Sequence, residues 1–281
     1  MANEDSIMKT LNKLAAVGAA LLMASTSANA IVTSWNYNVS SLFTAATYSG
    51  GTGTTTTPPA TTLSWGTPDN PANAQSSLSI GSNPAAGSVD TYLGVTPPQS
   101  SPYLAFSTSL THTNNVIAGG SSSLLSAILT NTVTLTPLVP NQPALPIQIV
   151  PFNIAFTETP NSTPCAAASP AGNPCNDIFV LTGGLLNFAF NYNDGTGLQT
   201  YFVNIFPTTG GVLSTLSNSA CAAANQPNGC IGFTTVEGQA TTLAFGFTIS
   251  TQPLQVPEPG MLALFGAGLM SLVFLRRRRP D

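Results

Sequence analysis

Apolar and polar residues alternate along most of the chain between residues 31 and 250, which is the pattern of half-buried β-strands. The alternating runs are residues 35–39, 104–110, 128–138, 147–156, 186–192, 201–205 and 243–247. In the second run, Leu104, Phe106 and Leu110 are predicted to share one face. Threonine, valine, isoleucine and phenylalanine fill these runs and favour a pleated sheet. Residues 122–129 are also compatible with one or two helical turns.

The clearest local motif is a hairpin over residues 186–206. Two alternating runs flank Asp194 and Gly195, and an Asp-Gly pair favours a turn because glycine accepts a positive φ. No short repeat of the kind that builds a β-helix is present. The sequence therefore predicts an all-β domain, an antiparallel β-sandwich or jelly roll of roughly ten to thirteen strands.

The first thirty residues have the layout of a signal peptide. Lys9 and Lys13 precede an apolar stretch at residues 14–24, and Ala28 and Ala30 form a small-x-small cleavage site. Cleavage by signal peptidase after Ala30 is expected. The alternative is an uncleaved N-terminal anchor.

The last twenty-six residues form a second ordered signal. An apolar run at residues 261–275 would span about 22 Å as a helix, against about 30 Å for the hydrocarbon core of a bilayer. A short motif precedes the run and consists of Val256, Pro257, Glu258 and Pro259. A basic stop follows the run and consists of Arg276, Arg277, Arg278 and Arg279. Positive residues stay on the cytoplasmic side, so the motif is expected at the outer face of the inner membrane.

This order of motif, apolar helix and arginine cluster resembles the PEP-CTERM sorting signal. The resemblance implies recognition by an exosortase, with a transient anchor in the inner membrane followed by release to the cell surface or the extracellular space. The predicted units are a signal peptide at 1–30, a β-domain at 31–250, a spacer at 251–255 and the sorting signal at 256–281. The alternative for the tail is a single-pass anchor that is never cut.

Charge is distributed unusually along the chain. All 6 lysines and arginines lie in the two terminal signals. Because the body carries no positive side chain, it cannot neutralise phosphates, and nucleic-acid binding is excluded as a function. Threonine, serine, asparagine and glutamine supply the surface polarity instead.

The 4 cysteines form two close pairs, Cys165 with Cys175 and Cys221 with Cys230. Export to an oxidising compartment favours disulfides, and local pairing is preferred among the three possible connectivities. A zinc site would need CxxC spacing or histidine support, and neither is present.

His112 is the single histidine and follows Thr111 in the string Thr-His-Thr-Asn that ends at Asn114. Together with the tail, this string resembles the THxN family of PEP-CTERM proteins, a resemblance that implies no activity. Three roles are open for His112: a structural hydrogen bond in a turn, a ligand contact, or a general base for a hydroxyl nucleophile. Asp194 with Asn191 and Asn193 forms a weak candidate for calcium.

These features predict an exported surface or matrix protein, structural or associated with extracellular polysaccharide. No catalytic residue, metal or cofactor is predicted. The alternatives are a secreted hydrolase that uses His112, and a calcium- or glycan-binding module.

Overall fold

The structure, a computed structural model, describes residues 31–167, 175–183, 186–193, 197–208 and 213–255. In this part of the chain thirteen strands and one short helix occur. The strands are β1 (Ser34–Tyr48), β2 (Thr62–Trp65), β3 (Ser76–Gly81), β4 (Ala85–Tyr92), β5 (Ala105–Asn114), β6 (Leu124–Val139), β7 (Gln148–Thr157), β8 (Asp177–Gly183), β9 (Phe188–Asn193), β10 (Leu198–Pro207), β11 (Ser214–Thr215), β12 (Ile231–Thr235) and β13 (Gln239–Ser250). The helix, α1, is Asn218–Ala223 and lies between β11 and β12.

The strands form two sheets that share one corner. Sheet I has the order β11-β12-β8-β7-β6-β1-β4, and sheet II has the order β9-β10-β13-β5-β3-β2. Within both sheets the pairs are antiparallel, whereas β4 and β13 pair in parallel at the shared corner. The corner pairing joins Ile249 to Thr91 and Ser250 to Tyr92.

The core lies between the two sheets. Side chains from opposite sheets meet there as aromatic pairs, such as Trp35 with Tyr201 and Phe152 with Phe245, at centroid distances of 5.1 and 6.1 Å. Rings of this size bury large apolar areas and dominate the packing energy of a sandwich. The all-β prediction is therefore confirmed, with thirteen strands in the described part of the chain. The apolar C-terminal helix predicted with it lies outside the described residues.

Strand β5 differs from its predicted facing. The run was expected to place Leu104, Phe106 and Leu110 on one face, yet Phe106 is 72% exposed while Leu110 is buried. The register against β13 shifts between Ala244 and Gly246, which are paired with Ser109 and Phe106. One extra residue on β5 makes a β-bulge, and a bulge reverses which side chains face the core.

Other local predictions had mixed outcomes. The hairpin is confirmed by the antiparallel pairing of β9 with β10, although its turn residues lie outside the described part.

The helical alternative for residues 122–129 was wrong, because Leu124 begins the long strand β6, which pairs with both β1 and β7. Cross-strand pairing on two sides outweighs the weak local helical pattern.

Both predicted disulfides form. Cys165 bonds to Cys175, and Cys221 bonds to Cys230. The second bond links α1 to the residue that precedes β12. Each closes a short local loop, which restricts the unfolded chain and stabilises the fold by about 2–3 kcal/mol.

Residues 251–255, predicted as a spacer, pack against the domain. Leu254 is buried, and its backbone N–H and C=O both bond to the side chain of Asn187. The backbone N–H of Gln255 donates to the carbonyl of Val95 at 2.6 Å. Residues 251–255 are therefore part of the folded domain. Among the described residues, no helix has the length and apolar character needed to cross a membrane.

Candidate functional site

The Thr-His-Thr-Asn string lies at the end of β5, where alternate side chains point to opposite faces of sheet II. His112 and Asn114 point into the core and are both fully buried. Thr111 points outward and shares a 2.8 Å hydrogen bond with Thr242 on β13. The string is therefore part of a strand, and the turn proposed for His112 is not found.

Aromatic rings surround the His112 imidazole. Trp65 of β2 is stacked on it with a centroid distance of 5.9 Å and an interplanar angle of 9°. Phe156 of β7 meets it edge-on at 4.8 Å. Neither ring nitrogen has a hydrogen-bond partner within the described part of the chain. The imidazole thus packs as an aromatic ring that bridges the two sheets.

Asp177, the first residue of β8, is the nearest acidic group to His112. Its Oδ2 lies 3.9 Å from His112 Nε2, and both side chains are fully buried. Burial lowers the pKa of His112 to about 3, because the low-dielectric interior penalises the imidazolium. Burial also raises the pKa of Asp177 well above its usual value. The imidazole is therefore neutral at neutral pH, and the contact is not an ion pair there.

Asn114 joins β5 to the end of β12. Its Nδ2 donates to the carbonyl of Thr235 at 3.0 Å, a bond that lies wholly in the interior. The Asn114 Oδ1 and the Thr235 hydroxyl have no hydrogen-bond partner among the described residues. A buried amide that makes one such bond stabilises this end of the sandwich.

The Glu158 carboxyl and the backbone N–H of Thr159 complete the polar cluster around His112. Trp65 Nε1 donates to Glu158 Oε2 at 2.8 Å, and the backbone N–H of Thr159 donates to Asp177 Oδ1 at 2.9 Å. Burial raises the pKa of Glu158 to about 7, with the Trp65 hydrogen bond acting in the opposite direction. Repulsion between Glu158 and Asp177 adds to the burial effect on the pKa of Asp177.

Acidic residues concentrate here although the domain has few of them. The acids between residues 31 and 255 are Asp69, Asp90, Glu158, Asp177, Asp194 and Glu237. Burial raises the pKa of Glu237, and Asp69 adds a smaller repulsion that raises it further, while Asn161 acts against both. Glu237 in turn raises the pKa of Glu158 and of Asp177. No lysine or arginine lies in this part of the chain to offset the carboxylates, and the raised pKa values favour their protonated forms.

Among the carboxyl groups of the cluster, only that of Glu158 lines a surface cavity. A surface cavity of about 430 Å³ is lined by Glu158, Thr159, Asn161 and the backbone at Gly119 and Gly120. His112 and Asp177 lie behind it, fully buried. Among the described residues, no three His, Cys, Asp or Glu side chains form a group that fits a metal ion. The arrangement can take up and release a proton at Glu158, and it offers no route for a substrate to His112.

The sequence pointed to His112 and Asn114 but not to the other members of the cluster. Trp65, Glu158, Asp177 and Glu237 lie far apart in the chain, and strand pairing brings them together. A signal was nevertheless present, since an acid in a nearly uncharged strand sequence is unusual and each one can be suspected of burial.

Comparison with known families concerns the tail. Residues 255–279 match the family model of the PEP-CTERM protein-sorting motif. The chain carries a PEP-CTERM sorting motif. The match includes the predicted motif at residues 256–259 and Arg276 to Arg279, and it implies an exported protein that an exosortase processes. The comparison with curated proteins gave no match to this chain.

The remaining predicted signals stay predictions. The PEP-CTERM match does not reach residues 111–114, so the similarity to the THxN family is untested. Ala28 and Ala30, the sorting residues 256–259, the arginine cluster and the turn at Asp194 all lie outside the described residues.

Proposed function

We propose that this protein is an exported component of the extracellular polysaccharide matrix, and that it acts by binding glycan rather than by catalysis. The PEP-CTERM motif supports the delivery of the domain to the cell surface. The observation that carries the binding part is an uncharged outer face on sheet I that is rich in hydroxyl and amide side chains.

That face, here called the hydroxyl face, is built by β1 and β6. Outward side chains meet across the strands as the pairs Asn36 with Thr136, Asn38 with Thr134 and Ser40 with Thr132. Leu42, which is 40% exposed, interrupts the row opposite Thr130, and beyond it the hydroxyls of Thr44 and Thr130 share a 2.7 Å hydrogen bond. Side chains directly opposite each other stand about 5 Å apart, so the row presents regularly spaced donors and acceptors. Such a surface suits a polymer with many hydroxyl groups.

The absence of positive charge agrees with a neutral ligand. Residues 31–255 contain no lysine or arginine, so an anionic polymer would meet no counter-charge. Binding through neutral hydrogen bonds depends little on salt, in contrast to binding through ion pairs.

The burial of His112 weighs against the hydrolase alternative. A general base must reach its substrate within hydrogen-bond distance, and a fully buried imidazole under Trp65 offers no such approach. The hydrolase hypothesis requires that His112→Ala abolish turnover in a screen of glycosides, esters and peptides while the domain stays folded. Retained activity, or no activity in the parent protein, would end that hypothesis.

The binding proposal is tested with the processed protein from culture medium and the polysaccharide of the same cells. Co-sedimentation should show binding that changes little between about 0.05 and 0.5 M salt. The double variant Asn38→Ala/Thr134→Ala should weaken binding by roughly 5- to 150-fold, since each lost hydrogen bond contributes about 0.5–1.5 kcal/mol. The matched control is Thr111→Ala/Thr242→Ala, a cross-strand pair on the outer face of sheet II.

Two results would contradict the proposal. One is no binding to the matrix polysaccharide at any salt concentration, and the other is an equal loss in the test and control variants. Deletion of the gene should also change the texture of the biofilm or floc under conditions in which the protein is expressed. An unchanged matrix would argue against a structural role there.

A further inference from the structure

An apolar groove lies beside the point where the chain leaves the domain. Its volume is about 780 Å³, and no charged side chain is found among the described residues that line it. The main lining residues are Pro97, Pro98, Leu104, Phe106, Phe206 and Ile231. Phe106 is 72% exposed and Ile231 is 44% exposed, so the groove leaves a contiguous apolar surface open.

The chain path leads towards this groove. At the shared corner, Ser250 pairs with Tyr92 in parallel, and Gln255 then donates its backbone N–H to Val95. Gln255 therefore lies beside Val95, two positions before Pro97. Two further residues reach about 7 Å, which brings residue 257 within range of residues 96–98. Pro97 and Pro98 form one wall of the groove.

We propose that the groove is the docking site for residues 256–259 of the same chain, the sorting motif itself, until the tail is cut. Prolines keep this segment extended, and grooves lined by aromatic rings and prolines bind extended proline-containing segments. Pro257 and Pro259 are apolar and flank Glu258, the one charged residue of the motif. The prolines fit the uncharged groove and Glu258 stays in water.

Docking at this site shields the motif. A processing enzyme needs an extended segment that it can surround, and a segment packed against its own domain exposes only one side. Release from the groove therefore precedes cleavage, and the groove sets how fast the tail is removed. The inference depends on the sorting motif and is independent of glycan binding.

The test uses the full chain, purified in mild detergent from cells that lack the exosortase. Phe106 is replaced with photoreactive p-benzoylphenylalanine, and the matched control carries it at Leu198, which is 68% exposed and lies at the opposite end of β10 from the groove. Mass spectrometry should find a cross-link from position 106 to residues 256–259 of the same molecule, at a yield independent of protein concentration. The control should give no such link. Cross-links to detergent, to a second copy, or to no partner would each overturn the proposal.

Processing gives a second, separate measurement. In cells with active exosortase, Phe106→Asp should speed removal of the tail several-fold, because a carboxylate disfavours docking of two prolines. Leu198→Asp should leave the rate unchanged. Since Phe106 is mostly exposed, the variant is expected to fold, which the fluorescence of the buried tryptophans checks. An unchanged or slower removal in Phe106→Asp would refute the shielding.

Discussion

Glu158 controls how the stability of the domain depends on pH. Burial raises the pKa of this carboxyl from 4.5 to about 7 in the folded state. The folded protein therefore binds a proton between these pH values that the unfolded chain releases, and stability falls as the pH rises through this window. At about 1.4 kcal/mol per pH unit, the loss amounts to roughly 3 kcal/mol.

The substitution Glu158→Gln removes this ionisation, together with the repulsion that adds to the raised pKa of Asp177. The glutamine keeps the shape and still accepts the bond from Trp65, but it does not ionise. The variant should gain about 3 kcal/mol of stability relative to the parent between pH 4 and pH 8. His112 acts with the opposite sign, since its lowered pKa gives stability above pH 6.5 that is lost as the pH falls towards about 3. Its effect cancels in the difference between the two proteins.

The assay is urea unfolding followed by tryptophan fluorescence at several pH values, with a chelator present so that no divalent cation replaces the proton. The matched control is Asp90→Asn, which removes a carboxylate on β4, outside the polar cluster. A stability difference between Glu158→Gln and the parent that stays constant with pH would refute the argument that the cluster favours protonated carboxyls.

Three further changes test the fold itself by the same unfolding assay. Asn114→Ala removes a buried hydrogen bond to β12 and should lower the free energy of unfolding by about 1–3 kcal/mol. A decrease of less than about 0.5 kcal/mol would argue against a stabilising role for this bond. Gly232→Ala should prevent β12 from pairing with β8, because a Cβ there would lie 2.0 Å from the carbonyl oxygen of Phe179, and a soluble variant of native stability would contradict this. Cys221→Ala/Cys230→Ala should cost about 2–3 kcal/mol, and equal stability of the oxidised parent and the variant would show that the loop is rigid without the bond.

Strands with unbroken alternation were predictable from the sequence. Trp35, Tyr37 and Val39 are buried on β1 as the pattern indicated. The facing of the β5 side chains was not predictable, because the bulge between Phe106 and Ser109 reverses which side chains face the core in the middle of the strand. Alternation of apolar and polar residues does not reveal an inserted residue, because a bulge depends on how the neighbouring strand is paired.

The site was predictable only for the residues of one short string. His112 and Asn114 stood out as rare residue types in a recognisable order, and their inward facing follows from their position after the bulge. Glu158 and Asp177 are distant in sequence and meet because β7 and β8 are neighbours in sheet I. Their protonation depends on burial and mutual repulsion, which arise only in the folded chain.

The position of β13 has a consequence for the order of events during secretion. This strand pairs with β5 and β10 in the middle of sheet II and also provides the corner contact with β4. It is completed at Ser250, only a few residues before the sorting motif. Sheet II therefore lacks a central strand until residues 239–250 are available to pair with β5 and β10. The sandwich cannot close before almost all of the chain that precedes the sorting motif has been made.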